Sequence, residues 1–224
     1  KSGVIGLLCA ALGVRRAEAP AAWLPRLSAL RMGVRIDVPG IRWWDYHTVG
    51  ADMDMRIAEG EGKTKRGALL SRREYLCDAS FLVALQGDAA IVGELFAALE
   101  KPRWTLYLGR KCCPPTRPLL EHAPGQYDDL SSALSSVSWR RRLKDDAVPE
   151  TVDCLIEWTP SNEQPEAPAD ALIWYDVPLT FEPPSHRPRI VIQEQFRVGE
   201  PDGVNVHDQP AQRRTSAPPR PRAD

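Results

Sequence analysis

An α+β fold in the order β-α-β-β-α-β, lacking its first strand, is predicted by three observations. The first is a succession of apolar periods: helical over residues 2–12, alternating over 31–37, β-rich over 79–85, helical after Asp88 and β-rich again over 104–108. The second is a polar, glycine-bearing stretch at 42–70 that has too little apolar surface to enter a core. The third is that three segments set cations and rings at the edge of apolar runs: Trp44-Asp-Tyr-His-Thr-Val49, the run from Ser71 to Leu85, and the run from Lys101 to Lys111. A sheet presents an RNA-binding surface in this way. The order is the ferredoxin-like plan that RNA-recognition domains share.

Taken in turn, Ser2 is placed to cap a helix whose Val4, Leu7, Leu8 and Ala11 follow the i, i+3, i+4, i+7 pattern, and Gly13 ends it where positive φ is tolerated. A second short helix is expected over 20–30, with Pro25 a candidate break. Met32, Val34 and Ile36 then alternate along a half-buried strand, and Val38-Pro39-Gly40 turns the chain. In 42–70 the acids Asp52, Asp54, Glu59 and Glu61 precede Lys63, Lys65 and Arg66, as in a projecting hairpin or mobile loop. Asp88 caps a helix with Ile91, Val92, Leu95, Phe96 and Leu99 inward, stopped by Pro102. Residues 104–108 read as a strand. Farther on, a short helix is expected over 127–136 and strands over 151–158, 171–176 and 189–198, with a basic knot of Arg140, Arg141, Arg142 and Lys144 between helix and strands.

The expected division is a ferredoxin-like domain at 1–120, a β-rich extension at 121–198 and a disordered Pro/Arg-rich tail at 199–224. No strand precedes Ser2 and the first residue is not methionine, so the opening strand of the plan is expected to be missing.

Composition narrows the function classes. The 224 residues carry 29 basic and 30 acidic side chains, a formal net charge of -1. A free-standing nucleic-acid binder is usually basic overall, so RNA contact here calls for local clusters or for a surface completed by neighbouring subunits. The five cysteines are odd in number and form no Cys-x-x-Cys pair, which argues against a disulfide framework or a zinc site. Cys112 and Cys113 are read as two reduced thiols in a loop rather than a strained vicinal bridge, and the compartment as reducing and cytoplasmic. Residues 4–12 are apolar but far short of the roughly 20 that span a membrane. Arg15-Arg16 stands where a secretory cleavage site would fall.

Lys1-Ser2-Gly3 opens a helix, where free amides and the dipole favour a phosphate; spacing alone favours a plain helix cap. His47 invites a role as general base in 2′-hydroxyl cleavage, but such chemistry also needs an acid and a stabiliser of phosphorane charge. His122, His186 and His207 lie in weak, proline-rich contexts, so a structural or RNA-contacting His47 is favoured. Lys63, Lys65, Arg66, Arg72 and Arg73 suit backbone phosphates, against a solvated charged face as the bland reading. Tyr75 beside Arg72 and Arg73 strengthens the functional one. Gly109-Arg110-Lys111 ends a run at a loop, and Glu74 and Asp78 read as partners of the arginines rather than a metal pair.

At these residues a resemblance becomes specific. Asp45-Tyr-His-Thr-Val49, Arg73-Glu-Tyr-Leu-Cys-Asp-Ala-Ser-Phe81, Lys101-Pro-Arg103 and Tyr107-Leu-Gly-Arg-Lys111 resemble, in order and spacing, the CasD subunits of type I-E CRISPR Cascade complexes, in the RAMP superfamily. The similarity includes Lys1-Ser-Gly-Val-Ile-Gly-Leu-Leu8, runs to about Leu120, and returns at Asp176-Val-Pro-Leu-Thr-Phe181. The family's opening strand and its turn are absent here, and the tail beyond Gly199 has no match. The resemblance implies a noncatalytic subunit that holds the 5′ handle of the crRNA and helps assemble an antiviral surveillance complex. A thumb, here about 42–70, would pack on the backbone subunit, with the large subunit adjoining. It implies RNA contacts at Lys1, Ser2, Gly3, Tyr46, His47, Thr48, Lys65, Arg66, Arg72, Arg73, Arg110 and Lys111. No cofactor, metal, membrane or small-molecule substrate is expected. The alternative is a metal-independent endoribonuclease that processes precursor crRNA, as related subunits of another subtype do.

Overall fold

In the computed structural model, the described residues are 1–50, 55–56, 64–65, 68–120, 124–125, 127–139, 147–161 and 164–198, of which 55–56 and 64–65 are described by their backbone alone. The elements follow as α1 (Ser2–Leu12), α2 (Ala19–Ala22), α3 (Leu24–Ala29), β1 (Arg31–Val38), β2 (Ile41–Val49), β3 (Met55–Arg56), β4 (Thr64–Lys65), β5 (Leu69–Cys77), β6 (Ser80–Gln86), α4 (Ala89–Glu100), α5 (Leu130–Ser136), β7 (Thr151–Trp158), β8 (Leu172–Phe181) and β9 (Pro184–Arg197). Five strands form one sheet in the order β6-β1-β7-β9-β8, every neighbouring pair antiparallel. Two further pairs, β2-β5 and β3-β4, stand outside it. The chain is therefore α+β with an antiparallel sheet.

Each face of the sheet has its own cover. On one, Ile5, Leu8 and Cys9 of α1 join Leu24, Leu27, Leu30, Ile91 and Leu95, with Leu85 and Phe181 of the sheet against them. On the other, Leu130 and Leu134 of α5 seat on Cys154 and Ile156, with Leu82, Ala84, Ile192 and Phe196 around them. Leu27 and Leu134 are both fully buried, each worth about 2 kcal/mol in area removed from water. Gly33 lets α5 approach: a Cβ there would lie 2.9 Å from Leu134 Cδ1.

β1 is consequently covered on both sides, not half-buried as its alternation predicts. Arg35, on the α5 face, is 4% exposed. Its guanidinium meets Asp37 at 2.6 Å and donates to the carbonyls of Leu134 and Val137, a full set of partners for a buried cation.

Other expectations need correction. α1 begins at Ser2, so Lys1 holds the capping position and Ser2 makes no cap bond, while Gly13 does close the helix at φ 75°. The helix expected over 20–30 is split at Trp23 into α2 and α3, the break falling just before Pro25, which sits in the first turn of α3. Residues 104–108 are not a strand. The backbone around them is bonded elsewhere: Arg103 N donates to Ala11 O at the end of α1, and Leu108 N to Cys113 O in its own loop. Asp88 caps α4 as expected, accepting from the amides of Ala90 and Ile91. The short helix of 127–136 starts at Leu130 with Asp129 as its cap. β8 and β9 outrun their predicted lengths, and with β7 they bring the expected extension into the same sheet as β1 and β6. The basic knot at 140–144 and the tail from 199 lie outside the described residues. Among the described residues, no helix is long and apolar enough to cross a membrane.

Candidate nucleic-acid interface

β2 and β5 pair over their full nine residues, from Ile41 opposite Cys77 to Val49 opposite Leu69. Gly40, at φ 78°, makes the turn from β1 into this ribbon. Because it belongs to neither face of the main sheet, the ribbon leaves large side chains in solvent: Trp43 is 56% exposed, Trp44 52% and Tyr46 66%.

The pleat sorts these side chains into two sets, since residues opposite one another share a face and alternate ones do not. One face carries Trp44, Tyr46 and Thr48 from β2 with Arg72 and Glu74 from β5. There the Arg72 guanidinium lies 5.3 Å from the centroid of the Trp44 ring, and Arg42 reaches Glu74 at 3.4 Å. The other carries Trp43, Asp45 and His47 with Ser71, Arg73 and Tyr75. On it the Trp43 and Tyr75 rings meet at 6.2 Å with a tilt of 49°. His47 Nδ1 faces Asp45 at 3.4 Å, and Arg73 Nε donates to Ser71 Oγ at 3.3 Å.

The loop after residue 108 docks on this second face. Arg110 lies 4.7 Å over the Tyr75 ring and donates to Glu74 O at 2.8 Å. Gly109, at φ 80°, turns the loop, and Cys113 N closes it on Arg110 O at 2.9 Å. Slight desolvation and the neighbouring Cys112 thiol raise the Tyr75 phenol above its ordinary value, with Arg110 and Arg73 pulling the other way. The opening of α1 adjoins the same loop: Leu108 Cδ1 is 3.6 Å from where a Cβ on Gly3 would stand.

Of the sequence-predicted residues, Arg73 and Arg110 thus gather about Tyr75, His47 lies farther along the same face opposite Ser71, and Gly3, next to Ser2, adjoins the loop that carries Arg110. Tyr46, Thr48 and Arg72 gather on the ribbon's opposite face. Lys111 is exposed in the turn. Arg66 and the Lys65 side chain lie outside the described residues. Lys1 is placed differently from the expectation of a phosphate ligand. Its ammonium is buried, bonded to Glu157 at 2.8 and 2.9 Å and to the carbonyls of Ser28 and Leu30. Burial lowers its pKa despite the Glu157 carboxylate. Nearby, Asp176 pairs with Arg189.

Sequence reasoning left Trp43, Trp44 and Tyr75 off the list of contacts. The signal for them is the strand period: once Asp45 opposes Arg73, the ring at each end of the cation-bearing faces follows.

Comparison with known proteins gives the lineage. The family model described as "CRISPR-associated protein (Cas_Cas5)" matches residues 1–217. The "CRISPR system Cascade subunit CasD" of Escherichia coli (strain K12) is 42% identical over 134 residues, 53% of this chain and 56% of that protein. The chain thus spans about half the length of the curated relative it matches. Among solved structures, a chain of a "CRISPR RNA-guided surveillance complex" superposes with a TM-score of 0.66 at 31% identity, covering 88% of this chain and 78% of that one. A "Crystal structure of Cas protein" gives 0.58 at 30% identity, covering 88% and 80%.

Proposed function

The chain belongs to the CRISPR-associated Cas5 family, and from that premise we propose that it is a noncatalytic subunit of a type I-E Cascade complex that binds the 5′ handle of the crRNA. One observation carries the reading. On an exposed two-stranded ribbon, arginines lie over rings on both faces, Arg72 on Trp44 and Arg110 on Tyr75. A guanidinium held on a ring can meet a phosphate while the neighbouring rings stack on bases, which is the economy of single-strand RNA recognition. Arg73 adds a donor beside Tyr75, His47 one farther along the same face, Ser2 and Gly3 at the start of α1 adjoin the Arg110 loop, and Thr48 and Tyr46 add to the opposite face. Lys65, Arg66 and Lys111 supplement these as phosphate contacts. Lys1, held by Glu157, orders α1 rather than touching RNA.

The finer fold belongs to the same proposal. α1 and α4 share one core and β1 lies antiparallel to β6, as in a RAMP-type ferredoxin-like domain, with the β2-β5 ribbon as its thumb. Ile41, Leu70 and Leu76 stand exposed along that ribbon, and such apolar surface suits the backbone subunit of the complex, with the large subunit next to it. Formal charge of -1 fits an RNA groove completed by more basic neighbours in the cytoplasm.

Co-expression with candidate partner subunits and a crRNA tests this. Handle-dependent incorporation is expected, with weak, salt-sensitive RNA binding by the chain alone. Replacing Arg72, which is exposed, and Arg73, which is half-buried, together by alanine should reduce crRNA retention per folded complex sharply while changing stability by no more than about 1 kcal/mol. A collapse of melting temperature with retention unchanged would make both arginines structural. The alternative, an endoribonuclease, predicts cleavage of repeat RNA at one position in EDTA that a His47→Ala variant loses. His47 with Asp45 supplies one imidazole and a carboxylate on an open ribbon, too little for acid, base and charge stabiliser together.

A further inference from the structure

Two cysteines stand beside the Arg110 contact. Cys112 Sγ lies 3.9 Å from Cys113 Sγ and 3.9 Å from the Tyr75 hydroxyl. Cys112 is exposed and Cys113 half-buried. Of the other cysteines, Cys77 is exposed at the end of β5, while Cys9 and Cys154 are buried, and burial pushes their thiols up to about 11 and about 12. The buried pair stays protonated and inert, so thiol chemistry falls to the loop and to Cys77.

We propose that Cys112 and Cys113 are a reversible oxidation site that a low-molecular-weight disulfide closes to a vicinal disulfide, loosening Arg110 from Tyr75. The Cys112 thiolate attacks one sulfur of glutathione disulfide. A Cys112–glutathione mixed disulfide forms and one glutathione thiolate leaves. The Cys113 thiolate then attacks Cys112 Sγ, the bond to glutathione breaks, and a second glutathione thiolate leaves. The two protons given up by the cysteines pass to the two glutathiones, so the dithiol is oxidised and one glutathione disulfide is reduced to two glutathiones. Cys112 goes first because it is exposed. Cys113 waits because slight desolvation and its hydrogen bond to Cys112 raise its thiol, against the weaker pull of Arg110.

Geometry links this step to the ribbon. The sulfurs must close from 3.9 Å to a bond of about 2 Å. Both belong to the turn whose Cys113 N bonds Arg110 O and whose Cys113 O accepts from Leu108 N. Closing the bond draws Cys112 away from the Tyr75 hydroxyl and disturbs the turn that aims Arg110 at the ring. The chemistry stands independently of the proposed function; only its consequence for RNA rests on that reading.

The test uses the full chain with Cys77→Ser, treated with glutathione disulfide and measured by intact mass. Loss of two hydrogens with no glutathione retained, reversed by dithiothreitol, is expected. With Cys113→Ser added, one glutathione should stay on Cys112; with Cys112→Ser added, far less should be retained. Faster amide exchange at Cys113 should accompany oxidation. A stable mixed disulfide on the intact pair, or no thiol loss, overturns the site. In complexes with crRNA, the oxidised protein should retain several-fold less RNA, and a Cys112→Ser/Cys113→Ser double variant should hold RNA equally with and without glutathione disulfide. A disulfide that forms and leaves both exchange and RNA retention unchanged overturns the coupling to Arg110. Reduced protein that fails to hold RNA, with the disulfide still forming, sinks the proposed function and leaves the oxidation site standing.

Discussion

Asp176 and Arg189 meet through two hydrogen bonds, 2.6 and 3.0 Å, beneath the Trp174 ring. Burial works to raise the Asp176 carboxyl, but its pairing with the Arg189 guanidinium holds the carboxyl below its ordinary value. A carboxyl that titrates lower when folded gives its stability in full above the unfolded value, about 3.9, and loses it as pH falls through the folded one. Replacing Asp176 with asparagine should cost about 3 kcal/mol at neutral pH, since among the described residues Arg189 then keeps Glu157, at 3.8 Å, as its one acidic partner. Urea unfolding at neutral pH and at about pH 3 checks it. The gap between variant and parent should narrow in acid, and a gap that stays constant would mean the charge of Asp176 is irrelevant. None of this was legible in the sequence: Glu157, Asp176 and Arg189 lie in three strands, and only the sheet brings them to Lys1. Legible at this scale was the clustering of cations with rings. Which face each occupies was not, because that depends on register, and a slip of one residue exchanges the faces.

The ribbon shows how far element-level reading reaches. A segment at 42–70, too polar for a core, was expected to project; its start, β2, pairs with β5 outside the main sheet, while most of 51–67 lies outside the described residues. Its strands were hidden because neither face is buried, so the alternation that marks a half-buried strand is missing. The reverse error occurred at 104–108, where β-favouring residues are held by bonds to α1 and to their own loop. Asp88, Gly13 and β6 were read correctly because caps and short apolar runs carry local signals. Gly40 should be the ribbon's weak point. A Cβ there would sit 2.7 Å from Cys77 O and from Ala79 Cβ, on a backbone with φ 78°. Gly40→Ala should cost on the order of 1–3 kcal/mol. Amide exchange in β2 and β5 should quicken while β7 and β9 keep their protection; equal loosening of both would show that the ribbon is not an independent element.

Across the whole molecule, the two helical covers and the five-stranded sheet form a rigid base, and the chemistry-bearing side chains sit off it on the ribbon and the 109–113 loop. Three strands of that sheet come from the segment after residue 120, where sequence signals were weakest. Their pairing is long-range, Thr151 with Arg197 and Gly33 with Ile156, and no local pattern announces it. The near-zero net charge has a counterpart in the structure, since Arg35, Arg189 and Lys1 are consumed inside by acids and carbonyls. The most direct measurement is photo-crosslinking in a complex reconstituted with a crRNA whose 5′ handle carries photoreactive nucleotides, with the adducts mapped by mass spectrometry. Adducts confined to residues 2–3, 41–49, 65–66, 69–77 and 109–113 are predicted, Trp44 and Tyr75 foremost. Handle adducts on α5 or β9, or a handle that crosslinks only to other subunits, would contradict the account.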